Sequence, residues 1–133
     1  MRLHYPHIVV KPNFIKFGFC LLYRTKKLIF TIYNMTGSGI KCCQLTDSNF
    51  PGAPIHYEIV KTTNHDDFEV RPSFGEIPRN TGVNQQFIDI AVYFTPRHCK
   101  LYLESLRILT NLPQYYIDVP VSGHGSIDEK FNV

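Results

Sequence analysis

Six histidines (His4, His7, His56, His65, His98 and His124) and four cysteines (Cys20, Cys42, Cys43 and Cys99) are the side chains here best suited to hold a metal or act as nucleophile and base. A zinc site needs such residues in closely spaced pairs that aim at one ion. The chain has no CxxC and no HxxxH. His98 and Cys99 are adjacent, and neighbours on an extended chain point to opposite faces. With Asp89 or Asp118 they are the one arrangement resembling a thiol nucleophile, base and orienting acid. Cys99 also fits as a plain residue at the start of a strand. No GxxxxGK[ST] or GxGxxG occurs, and Gly37-Ser38-Gly39 reads as a turn. The expectation is a non-enzymatic chain with no catalytic residues, no metal and no cofactor.

The remaining chemistry is charge. Arg24, Lys26 and Lys27 form one basic cluster, and Arg97, His98 and Lys100 a second. Arg24, Lys26, Lys27, Arg97 and Lys100 are the candidate protein-binding residues, suited to acidic peptides, tubulin tails or phosphate. The net charge of +3, from 14 basic and 11 acidic residues, is too weak a signal for nucleic acid.

The elements that must carry these residues are strands. Ile88, Ile90, Val92 and Phe94 alternate across Gln86 to Phe94, Asp89 sits in the opposite row, and Pro96 follows. This is a central strand with one buried face. Leu28, Phe30 and Ile32 repeat the pattern within Lys26–Asn34. So do Ile117, Val119 and Val121 within Tyr115–Ser122. Further strands are expected at Ile40–Thr46, Ile55–Val60, Phe68–Pro72 and His98–Thr110, the last with Leu106 and Ile108 inward. Ile8, Val10, Ile15 and Phe17 face inward if a one-residue slip is absorbed at Pro12-Asn13, which suits an edge strand switching between two sheets. Pro120 likewise reads as an edge device. Ser73 to Asn84 reads as a long connection, and Gly123-His124-Gly125 as the end of the last strand. With no helix-period segment of twelve residues, the fold class is all-β: an immunoglobulin-like β-sandwich of seven to eight mostly antiparallel strands.

At 133 residues this is one domain. No apolar run approaches the ~20 residues of a membrane span, and the N-terminus lacks the apolar core of a signal peptide. The cysteines do not form a disulfide framework and read as reduced thiols of a cytoplasmic protein.

The order of the motifs carries a resemblance. Ile8-x-Val10-x-Pro12 leads to Ile15-x-Phe17-Gly18, then Phe30-x-Ile32-x-Asn34. Phe68-x-Val70-x-Pro72 and Gly75-x-Ile77-Pro78 precede Ile88-x-Ile90-x-Val92-x-Phe94-x-Pro96. Tyr102-x-x-x-Leu106-x-Ile108 and Val119-x-Val121-x-Gly123-x-Gly125 follow. This resembles the ASH domain, an immunoglobulin-like module of the major-sperm-protein and PapD-like superfamily, named for centrosomal and ciliary proteins including hydin. The resemblance covers residues 8–125, leaving 1–7 as an N-terminal extension and 126–133 as a tail or linker. It implies a scaffolding or targeting module of a cilium, flagellum or centrosome, with ciliary, centrosomal or microtubule-associated protein partners. No nucleic acid or membrane insertion is expected. The rival readings are a major-sperm-protein-like adaptor for short acidic peptides, a small hydrolase using Cys99, and a periplasmic PapD-like chaperone.

Overall fold

The computed structural model describes residues 7–36, 52–63, 65–80, 85–111 and 116–128. The alternating segments are strands: β1 (Ile8–Lys11), β2 (Ile15–Leu21), β3 (Lys26–Asn34), β4 (Ile55–Lys61), β5 (Phe68–Arg71), β6 (Phe74–Ile77), β7 (Phe87–Phe94), β8 (Leu101–Thr110) and β9 (Tyr116–Ser126). They form a four-stranded sheet, β1-β3-β7-β5, and a five-stranded sheet, β2-β9-β8-β4-β6. Six of the seven pairings are antiparallel, and β2 runs parallel to β9. The inward rows meet in one core, and Phe30, Ile32, Ile90, Val92, Leu106, Ile108 and Val119 are fully buried within it. This is an immunoglobulin-like sandwich. Among the described residues no helix is long and apolar enough to cross a membrane.

The strand count exceeds the expected seven to eight because two segments change sheets. β1 pairs with β3, and the chain then turns at Pro12 so that β2 joins β9 in the other sheet. The slip at Pro12-Asn13 puts Ile8, Val10, Ile15 and Phe17 all inward, as expected. The same move recurs at Pro72, where β5 leaves β7 and β6 joins β4. The expectation of a structureless connection from Ser73 to Asn84 is therefore corrected. Within β6 the inward residues are Gly75 and Ile77 while Phe74 faces out, so apolar alternation does not reveal it.

Three further expectations are corrected. β8 begins at Leu101, not His98, because residues 98–100 form a bend at the sandwich end. Gly123 and Gly125 do not end the last strand. A Cβ on Gly123 would enter the Phe94 ring, and one on Gly125 would strike the His98 carbonyl oxygen, so both glycines permit close packing inside β9. Nor does Pro120 mark an outer strand, since β9 lies between β2 and β8. The Gly125 N–H donates to the Lys100 carbonyl (3.0 Å), and alternation then turns the Pro120 nitrogen away from β8. β2 pairs only from Val121 onward, so the proline removes no bond from the β8 ladder. The strand expected at Ile40–Thr46 lies outside the described residues.

Two buried polar groups tie the loops. Asn34, fully buried, donates to the carbonyls of Ala53 (2.8 Å), Ile77 (3.3 Å) and Pro78 (3.0 Å). Glu104, 5% exposed, accepts from the backbone N–H groups of Thr62 (3.0 Å), Thr63 (3.0 Å) and Ser105 (3.1 Å), which satisfy its charge.

Candidate interaction surface

The two basic clusters lie at different turns, Arg24 on the β2–β3 turn with Lys26 and Lys27 opening β3, and Arg97, His98 and Lys100 on the β7–β8 turn, and the structure brings both turns to one end of the sandwich. The Tyr23 N–H donates to the Pro96 carbonyl (2.7 Å), and the Thr25 and Thr95 hydroxyls are 2.7 Å apart. Beneath them Phe17, Phe68, Phe94 and Tyr102 pack as an aromatic cluster. Phe68 and Phe94 stack at 4.7 Å between ring centres, and Tyr102 meets Phe94 edge-on at 5.3 Å.

Tyr102 fixes the β7–β8 turn. Its hydroxyl accepts from the N–H groups of Arg97 (3.3 Å) and His98 (3.0 Å). Burial pushes this phenol up from its ordinary range, and the two backbone bonds oppose that shift. Tyr102→Phe leaves both N–H groups without that acceptor, a loss of about 1–3 kcal/mol. The expected result is a melting temperature lower by roughly 5 °C, with faster amide exchange at Arg97 and His98. Unchanged exchange at those two amides would refute this role.

The basic residues at this end differ in their surroundings. The Lys26 ammonium donates to the Phe17 carbonyl on β2 (3.2 Å). Lys27 lies on the outer face of the four-stranded sheet, opposite Tyr93. Lys100 sits over the Tyr102 ring, 4.9 Å from its centre. Arg24 and Arg97 stand exposed on their turns. Acidic residues share this end, which sequence reasoning missed. Because β5 pairs with β7, Asp66, Asp67 and Glu69 join Thr25, Arg71 and Arg97 around an open hollow of about 370 Å³. The Asp67 carboxylate accepts from the Arg97 N–H (3.1 Å), and Glu69 binds Arg71 (2.7 Å).

The nucleophile arrangement does not assemble. Cys99 and His98 are exposed on the β7–β8 turn. Asp89 takes the Thr31 hydroxyl (2.6 Å) in the middle of the four-stranded sheet. Asp118 pairs with Arg107, six residues along β8 from Leu101 and about 20 Å from the turn at strand spacing. Among the described residues no three His, Cys, Asp or Glu side chains converge on one point. Cys20 is buried and Cys99 exposed, both as free thiols, while Cys42 and Cys43 lie outside the described residues.

No protein-family model matches the chain, and no curated protein sequence matches it. Among solved structures it is similar to the ASH/PapD-like domain 7 of human CEP192, at 10% identity and a TM-score of 0.72, over 97% of this chain and 94% of that one. It is also similar to WR4, a Caenorhabditis elegans major-sperm-protein family member, at 10% identity and a TM-score of 0.56, over 90% and 99% of the two chains. The CupB2 chaperone of Pseudomonas aeruginosa matches at 11% identity and a TM-score of 0.54, over 89% of this chain and 55% of that one. With its two sheet switches and its parallel β2–β9 pairing, the chain has the fold of the ASH, major-sperm-protein and PapD-like domains.

Proposed function

We propose that the chain is a non-enzymatic protein-interaction module of a cytoplasmic ciliary, flagellar or centrosomal protein. The observation that carries this reading is the end-to-end match in fold to the ASH/PapD-like domain of human CEP192, spanning nearly all of both chains. Residues 8–125 form the module in this reading, and the flanking 1–7 and 126–133 link it to the rest of a scaffold. The turn end bearing Arg24, Lys26, Lys27, Arg97 and Lys100 is the contact surface, with Arg24 and Arg97 the most available cations.

The test replaces Arg24, Lys26 and Lys27 with Glu and measures partner capture from a ciliary extract across salt concentrations. Exposed charges are screened over about 10 Å at 0.1 M salt. Capture by the unaltered protein is expected to fall as salt rises, and capture by the folded triple variant to fall several-fold. Capture that ignores both changes would exclude the basic surface. Tagged protein that fails to collect at cilia or centrosomes would exclude the cellular reading.

A second reading, an adaptor for short acidic peptides, is favoured by one further feature. Phe19, Leu101 and Leu103 are exposed together on the outer face of the five-stranded sheet, where Phe19 and Leu101 both lie opposite His124. Lys16 pairs with Ser122 on the same face, so apolar and basic groups adjoin. Acidic-tract peptides that bind there and lose affinity on Leu103→Asp would support it.

A further inference from the structure

The outer edges of the two sheets are not equally protected. β1 is cut short at Pro12. β2 is broken by a bulge at Gly18, whose φ is 71°, and the Phe17 carbonyl is taken by Lys26. On β5 the Phe68 carbonyl takes the Lys61 ammonium (3.1 Å), and its N–H meets the His65 carbonyl (3.5 Å). Among the described residues β6 has no such cover. The Ile59 N–H donates to the Ser73 carbonyl (2.7 Å), which fixes the alternation of the β4–β6 ladder. Gly75 and Ile77 therefore bond to β4, and Phe74 and Glu76 turn their N–H and C=O groups outward.

Two side-chain features mark the same edge. On the outer face Glu58 lies opposite Phe74, and His56 opposite Glu76. Phe74 is 73% exposed between the two carboxylates, beside an open hollow of about 550 Å³. Arg107, on β8 and diagonal to Glu58 across the sheet, is already engaged by Asp118 through two bonds of 2.8 and 3.0 Å. On the inner face the Tyr57 hydroxyl is buried without a hydrogen-bond partner among the described residues. It lies 3.0 Å from where a Cβ on Gly75 would stand, so the missing side chain leaves it open toward the edge.

We propose that the outer edge of β6 receives an extended segment of a partner protein as a further strand. The segment presents arginine or lysine on its outward side and a hydrogen-bond acceptor on its inward side. Its outward residues lie beside Phe74 and Glu76, where a cation meets an exposed phenyl face and two carboxylates. Its inward residue lies beside Gly75 and accepts from the Tyr57 hydroxyl. This surface is separate from the basic turns and selects the opposite charge.

The probe is an octapeptide alternating arginine and threonine, with a twin carrying glutamate for arginine. The arginine peptide is expected to bind and to slow amide exchange at Phe74 and Glu76, and the twin is expected not to bind. The double variant Glu58→Lys with Glu76→Lys is expected to weaken binding roughly tenfold, since an exposed ion pair supplies up to about a factor of five. Its melting temperature should not change. Tyr57→Phe should leave the melting temperature equal or higher, since the hydroxyl has no partner to lose, yet still weaken binding several-fold. Binding that survives charge reversal, equal binding of the twin, or no slowing at Phe74 and Glu76 would each overturn the proposal. Retained binding by the Arg24, Lys26 and Lys27 to Glu variant keeps this result independent of the basic surface.

Discussion

Ile90→Asp is expected to abolish soluble folding, while its neighbour Asp89→Asn leaves the fold intact. Ile90 is fully buried on β7 opposite Phe30. The substitution removes an apolar side chain, a loss of about 2–5 kcal/mol, and leaves an unpaired carboxylate in the core at a further cost of several kcal/mol. A domain's whole stability is roughly 5–15 kcal/mol. Asp89 is one residue along the same strand and exposed, accepting a 2.6 Å bond from the Thr31 hydroxyl that an asparagine oxygen can also accept. Its melting temperature should shift by about 3 °C or less. Circular dichroism and thermal melts of the two variants decide the matter. Similar melting curves would mean that the register of β7 is wrong.

That contrast depends on the part of the fold most legible in sequence. Period-two rows such as Ile88 to Phe94 report local geometry, because burial on one face constrains every second residue of the same strand. The sheet switch at Pro12 was legible for the same reason, since the slip between Val10 and Ile15 only makes sense if both sides face one core. The second switch was not. β6 spends its inward positions on Gly75 and Ile77 and exposes Phe74, so hydrophobic alternation points the wrong way. What identifies it is its pairing with β4, where Glu58 lies opposite Phe74, 16 residues further along the chain.

The candidate surface divides along the same line. Each basic cluster is local and visible in the sequence. Their meeting depends on Tyr23 reaching Pro96 and Thr25 reaching Thr95, contacts that join distant parts of the chain. The acidic residues Asp66, Asp67 and Glu69 arrive only through the β5–β7 pairing, so a patch that reads as basic in sequence is mixed in charge. Glu104 was hidden for a different reason. A carboxylate in an inward row looks like an error of register until the turn N–H groups of Thr62 and Thr63 are placed around it.

Asn34→Asp is expected to be nearly as damaging as Ile90→Asp, although it exchanges one atom for another of similar size. The Asn34 side chain is a five-bond junction. Its amide nitrogen donates to Ala53, Ile77 and Pro78, and its oxygen accepts from the Thr36 N–H (2.9 Å) and the Thr36 hydroxyl (2.6 Å). The three carbonyls belong to segments 19, 43 and 44 residues away, so one side chain holds the end of β3 against two distant loops. In the aspartate variant the oxygen bonds survive, but a carboxylate oxygen faces three carbonyl oxygens in a fully buried site. Each buried group left unpaired costs about 1–3 kcal/mol, and the charge adds its own penalty. The sign of the pH dependence follows. Those carbonyls favour the protonated carboxyl and raise its pKa in the folded state, so the variant retains stability at acid pH and loses it as pH rises through that pKa. Asn34→Leu has no proton to regain and should remain destabilised by a similar margin at every pH. Urea denaturation of both variants at pH 7 and at pH 4.5 or so separates the two. An aspartate variant as stable as the parent at neutral pH, or one that gains nothing on acidification, would show that Asn34 does not hold these loops.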